Sequence, residues 1–157
     1  WIALYAGMAG GADVILLPEL GFDMDKINEV ILDRAHRGKP YSIVVVAEGI
    51  ETPDKERPSV YVTRAIEKAT GIESRDTVLG YIQRGGNPSP FDRNLATRLG
   101  GHATELIADR QFGRMVCMKG NEVESIPLSE VAGKLRLVTP EHDLIVQGKR
   151  MGISFGN

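Results

Sequence analysis

At 157 residues the chain is long enough for one domain of ordinary size, and 42% hydrophobic with 25% charged side chains is the balance of a globular protein. A formal net charge of −2 leaves no basic excess for nucleic acid or an anionic membrane surface, and no apolar run approaches the ~20 residues that span a bilayer. Cys117 is the only cysteine, which excludes an intrachain disulfide and fits a reducing compartment, most simply the cytoplasm.

The opening Trp1-Ile2-Ala3-Leu4-Tyr5 has no initiator methionine and no charged signal region, and reads as the inside of a helix. The expectation is a part of a longer protein. Small and apolar residues continue to the Gly10-Gly11 pair, which ends that first helix. Val14-Ile15-Leu16-Leu17 then reads as a buried strand stopped by Pro18. Ile27, Val30, Ile31 and Ala35 recur at helical spacing over residues 24–37, with Gly38 as the stop. Ile43-Val44-Val45-Val46 is a second buried strand, residues 49–58 a loop, and 59–70 a helix closed by Gly71. Thr77-Val78-Leu79 reads as a third strand before a glycine-rich loop.

Ser89-Pro90-Phe91-Asp92 marks the next helix strongly: a capping serine, proline at the first helical position, and an acid three residues after the cap. Strands follow at 114–118 and 122–127, then a mixed tail with a helix near 141–150. Strands without polar alternation, separated by helices, imply an α/β fold with a parallel sheet sandwiched between helices. In such folds ligands bind beyond the carboxyl ends of the strands.

The polar residues fall at both ends of that sheet. The carboxyl end of the second strand delivers Glu48, and the third delivers Tyr81 and Arg84 among glycines. A guanidinium fork suits a phosphate, and an ionised carboxylate accepts hydrogen bonds from sugar hydroxyls. Together they describe a ligand with a hydroxylated body and an anionic end. If the strands run the same way, Asp13, Arg37, Lys39 and Arg75 share the amino edge as a second, mainly cationic cluster. Five residues of strand span ~17 Å, so Arg75 and Arg84 should serve one kind of ligand only across a subunit interface. Plainer readings stand beside these. Arg37 and Lys39 also suit a solvated helix C-terminus, Glu48 an exposed loop, and Gly85-Gly86 a simple turn. His36, His102 and His142 lack metal-ligand spacing, and no Walker loop, dinucleotide fingerprint or nucleophile elbow is present.

Three stretches carry a resemblance: Ala9-Gly10-Gly11-Ala12-Asp13-Val14 through Glu19, Arg37-Gly38-Lys39 through Gly49, and Thr77-Val78-Leu79-Gly80-Tyr81-Ile82-Gln83-Arg84-Gly85-Gly86-Asn87-Pro88. In order and spacing they resemble the bacterial-type phosphofructokinases, specifically the carboxy-terminal half, and the last stretch is the family's hallmark. The resemblance implies a substrate domain in which Glu48 binds the sugar of fructose 6-phosphate and Arg84 its 6-phosphate. It implies that Arg75 reaches a neighbouring subunit's sugar-phosphate site. It further implies an allosteric ADP site using Asp13, Arg37 and Lys39 with backbone near Gly11 and Tyr41, where Asp13 could meet effector-bound magnesium. Tyr81 stands where the family usually has a histidine, and offers a hydroxyl donor without a cationic form.

The implied parent is a glycolytic, ATP- and Mg2+-using, homotetrameric 6-phosphofructokinase, with a pyrophosphate-dependent enzyme or a non-catalytic sugar-phosphate or nucleotide sensor as the alternatives. On this reading residues 1–128 form the substrate and effector domain, and 129–157 a tail that packs on an ATP-binding domain outside the chain. The 157 residues alone are then expected not to turn over ATP.

Overall fold

The computed structural model describes residues 1–53 and 55–157. Trp1–Val78 and Leu137–Asn157 form one compact unit, and Leu79–Arg136 forms another. This division differs from the 1–128 and 129–157 boundaries read from sequence, because residues 137–157 are built into the first unit.

The first unit holds helix α1 (Ile2–Ala9), strand β1 (Val14–Leu16), α2 (Met24–His36), β2 (Val44–Val46) and α3 (Pro58–Thr70). β1 and β2 pair in parallel, Val14 with Val44 through Leu16 with Val46, as a β-helix-β unit requires. Side chains alternate across a strand, and here both faces are covered. Val14 and Leu16 pack with Ile27 and Ile31 of α2 and Val62 and Ile66 of α3. Ile15 and Leu17 pack on the other side with Leu4 of α1, Val138, Ile145 and Phe155. The parallel pair is therefore sandwiched between helices.

The third expected strand is absent. Thr77 and Val78 are irregular, and Val78 is 61% exposed. Side chains have taken over the local backbone: the Ser74 N–H donates to Glu67 Oε1 at 2.8 Å, and Ser74 Oγ donates to the Ile72 carbonyl at 3.2 Å. Asp76 is drawn to α3, where it accepts from Ser59 Oγ at 3.0 Å. Such short-range bonds compete with a sheet ladder. The other flank of β1 instead receives the chain's last residues, through a parallel bridge from Val14 to Ser154. The helix expected near 141–150 is present as Asp143–Arg150, and Phe155 beyond it is 1% exposed.

The second unit begins with a 3₁₀ turn, Gly80–Arg84, where the glycine-rich loop was expected. Helix α4 (Pro90–Ala108) starts at the anticipated capping box: the Asp92 N–H donates to Ser89 Oγ at 3.3 Å and the Ser89 N–H to Asp92 Oδ2 at 2.8 Å. It packs on an antiparallel hairpin of β3 (Arg114–Lys119) and β4 (Glu122–Pro127), which turns at Gly120-Asn121. Arg98 of α4 donates to the Asn121 carbonyl and so ties the helix to the hairpin tip. A short helix, α5 (Leu128–Val131), follows, and Asp143–Arg150 of the first unit is α6. Among the described residues, no helix is long and apolar enough to cross a membrane.

Candidate functional site

The parallel register puts the residues before β1 and β2 at one edge of the first unit and those after them at the other. At the carboxyl edge, Glu48 follows β2 by two residues and is exposed, with no hydrogen bond or ion pair among the described residues. Its neighbour across the edge, Glu19, is not free. It accepts the Val138 N–H on Oε1 at 3.1 Å and so pins the returning tail beside β1. Of the two carboxylates that the strand ends present, Glu48 alone has both oxygens without a partner among the described residues.

In the second unit, Tyr81 is 90% exposed and Arg84 is also exposed. The 3₁₀ turn carries both, and Gly85 and Gly86 follow without side chains to obstruct an approach. Arg84 has no ion-pair or hydrogen-bond partner among the described residues, so its guanidinium fork is fully open to an anion.

At the amino edge, Asp13, Arg37, Lys39 and Tyr41 cluster around the starts of β1 and β2. Gly11 makes the turn into β1 with φ of +67°, a conformation glycine adopts without strain. Arg37 pairs with Asp33 one helical turn back at 3.0 Å, and both are exposed. Such a pair contributes about 0.3–0.5 kcal/mol and leaves Arg37 able to exchange partners. Lys39 and Tyr41 line a cavity of about 440 Å³ between α2, α3 and the open side of β2. Arg75 lines the same cavity, so the structure brings three of the sequence-derived candidates together. Arg75 spends its guanidinium on Glu73, at 2.6 Å, and stays 84% exposed.

Asp13 is engaged twice. Its Oδ2 accepts the Ile43 N–H at 2.8 Å, and its Oδ1 lies 2.8 Å from Nη1 of Arg34. The sequence reading passed over Arg34. The signal was present: Arg34 falls seven residues after Ile27 and three after Ile31, on the apolar stripe of α2, where a charge needs a partner.

The chain matches the phosphofructokinase family over residues 1–107. It is 65% identical over 156 residues to the ATP-dependent 6-phosphofructokinase 3 of Bacteroides thetaiotaomicron, covering 99% of this chain and 46% of that one. It is 41% identical over 157 residues to the pyrophosphate–fructose 6-phosphate 1-phosphotransferase of Streptomyces coelicolor, covering 89% of this chain and 46% of the other. The phosphofructokinase structure from Saccharomyces cerevisiae superposes with a TM-score of 0.67 at 30% identity, over 83% of this chain and 18% of the yeast chain. The chain thus spans about half the length of the bacterial relatives it matches. With both the matched segment and the fold in agreement, the chain belongs to the phosphofructokinase family.

Proposed function

We propose that this chain is the sugar-phosphate-binding portion of an ATP-dependent 6-phosphofructokinase, which transfers the γ-phosphate of ATP to the 1-hydroxyl of fructose 6-phosphate. The observation that carries the reading is the 65% identity to an ATP-dependent 6-phosphofructokinase across nearly the whole chain. The free side chains fit the task. Arg84 takes the 6-phosphate through charge-assisted hydrogen bonds, Tyr81 adds a hydroxyl donor, and Glu48 accepts from the sugar hydroxyls. These contacts hold and orient the acceptor, which is the protein's main contribution to phosphoryl transfer.

The reaction uses Mg2+ with ATP. Among the described residues, no group of three or more His, Cys, Asp or Glu is placed to hold a metal, and both oxygens of Asp13 are engaged. The task proposed for the free side chains of this chain is to hold the sugar phosphate. The contacts to ATP belong to the part of the family's length that the chain does not span, so these 157 residues alone do not turn over ATP. Arg75 serves a neighbouring subunit's sugar phosphate in a homotetramer, and Arg37 and Lys39 hold the phosphates of ADP as effector. A glycolytic role places the protein in the cytoplasm.

The test is a donor exchange on the complete protein. ATP with fructose 6-phosphate should give the 1,6-bisphosphate. Turnover with pyrophosphate and none with ATP would assign the other donor, and no turnover with either would favour a sensor.

A further inference from the structure

The Asp13–Arg34 contact gives the amino edge a property that the family resemblance does not supply. Arg34 sits on α2 one turn before Arg37, and its guanidinium meets three groups. Nη1 lies 2.8 Å from Asp13 Oδ1. Nε donates to Ser42 Oγ at 3.1 Å, and Nη2 donates to the Tyr41 carbonyl at 3.3 Å. The Asp13 side chain is 14% exposed and that of Arg34 25%, so water screens the pair only partly. One side chain thus joins the start of β1 to the loop that leads into β2.

The resemblance gives Asp13 another task, to meet an effector nucleotide through its magnesium ion. The donor set does not fit that task. One carboxylate oxygen holds a backbone N–H, and the other holds a full positive charge. A divalent cation brought to the same carboxylate would lie beside the guanidinium and be repelled by it.

We propose that Arg34 takes the place of the cation at this edge: it neutralises Asp13 and fixes Tyr41-Ser42, so that Arg37 and Lys39 hold the phosphates of a nucleoside diphosphate without a divalent metal. The inference rests on the effector reading of this edge. Arg34 is a positioning residue that acts through Asp13 and the Tyr41 carbonyl. Lys39 has no partner among the described residues, and the exposed Asp33 that holds Arg37 is easily exchanged for a phosphate. Without Arg34, Asp13 would keep the Ile43 N–H but present an uncompensated negative charge to the phosphates. A metal ion would then be needed to bridge them.

ADP titrated calorimetrically into the complete protein, in excess Mg2+ and in EDTA, tests this. The effector component is the binding that Lys39→Ala removes. In the wild type its affinity should agree between the two buffers within about threefold, well under the tenfold that 1.4 kcal/mol represents. Arg34→Gln should lose about tenfold or more in EDTA and recover most of it in Mg2+. Arg34→Lys restores a charge beside Asp13 and should restore binding in EDTA. So should Arg34→Gln combined with Asp13→Asn, which also serves if Arg34→Gln alone fails to fold. Wild-type binding that depends on Lys39 and falls tenfold in EDTA would overturn the proposal and leave the effector reading intact. Binding insensitive to Lys39 in both buffers would overturn the effector reading, and the proposal with it.

Discussion

Phe155 lies two residues before the last of this sequence, and it is 1% exposed in a cluster with Leu4, Ile15, Val138 and Ile145. Replacing a fully buried phenylalanine by alanine costs about 3–5 kcal/mol, because lost transfer energy and a residual cavity add. A unit of this size is stable by only about 5–15 kcal/mol in total. Phe155→Ala should therefore remove about a fifth or more of that stability and lower Tm by about 12 °C or more. Trp1 is the only tryptophan and packs against the same cluster, so its fluorescence reports this unit in a urea titration. Phe112→Ala is the matched control: that ring is 71% exposed, and its loss should cost no more than about 0.5 kcal/mol. Equal urea midpoints for the two variants would refute the claim that the tail is a structural part of the first unit.

Other outcomes test separate links. Gly156 has φ of +78°, and a Cβ there would lie 2.7 Å from Phe22 Cβ. Gly156→Ala should therefore cost about 2 kcal/mol or more, and a thermal melt within a degree of wild type would contradict the closure of the tail. Hydrogen bonds from the Ser89 hydroxyl, and then from its backbone N–H, hold the Asp92 carboxyl below the usual carboxylate range. The folded pKa is depressed, so this stabilisation is complete above the unfolded value of about 3.9 and is lost as pH falls through the lower folded value. Helicity by circular dichroism should fall more steeply with acid in the wild type than in Asp92→Asn, and parallel curves would remove Asp92 from the cap. Tyr81→Phe in the complete protein should raise KM for fructose 6-phosphate about ten- to hundredfold, the worth of one hydrogen bond to a charged phosphate. An unchanged KM would show that the hydroxyl plays no part.

What could be read in advance was what neighbouring residues decide. The capping box at Ser89, the helical spacing of Ile27 and Ile31, and the strand runs at 114–118 and 122–127 are local signals, and these elements formed where expected, although the pairing of the two strands as an antiparallel hairpin was not anticipated. Thr77-Val78-Leu79 has strand-forming side chains, but a strand also needs a paired neighbour, and here side-chain bonds hold the preceding backbone instead. Joining Phe155 to Leu4, or Ser154 to Val14, requires contacts across nearly the whole chain, which no local pattern reveals. At the amino edge the charges were legible one by one. That Arg34 would claim Asp13 was not, because the partners are 21 positions apart and meet only once β1 and β2 pair. Glu48 stood out just after a strand-forming apolar run and Arg84 in a glycine-rich stretch, and the structure leaves both exposed and unpaired among the described residues, although the strand expected before Arg84 did not form.

The central claim is that this chain grips the sugar phosphate, and Arg84→Ala in the complete protein addresses it directly. The side chain is exposed and has no partner to orphan, so its removal should alter stability by no more than about 0.5 kcal/mol. Hydrogen bonds to a charged group contribute about 1.5–3 kcal/mol, so KM for fructose 6-phosphate should rise about ten- to hundredfold while KM for ATP stays within about twofold. Equal changes in both constants, or none in the first, would contradict the assignment.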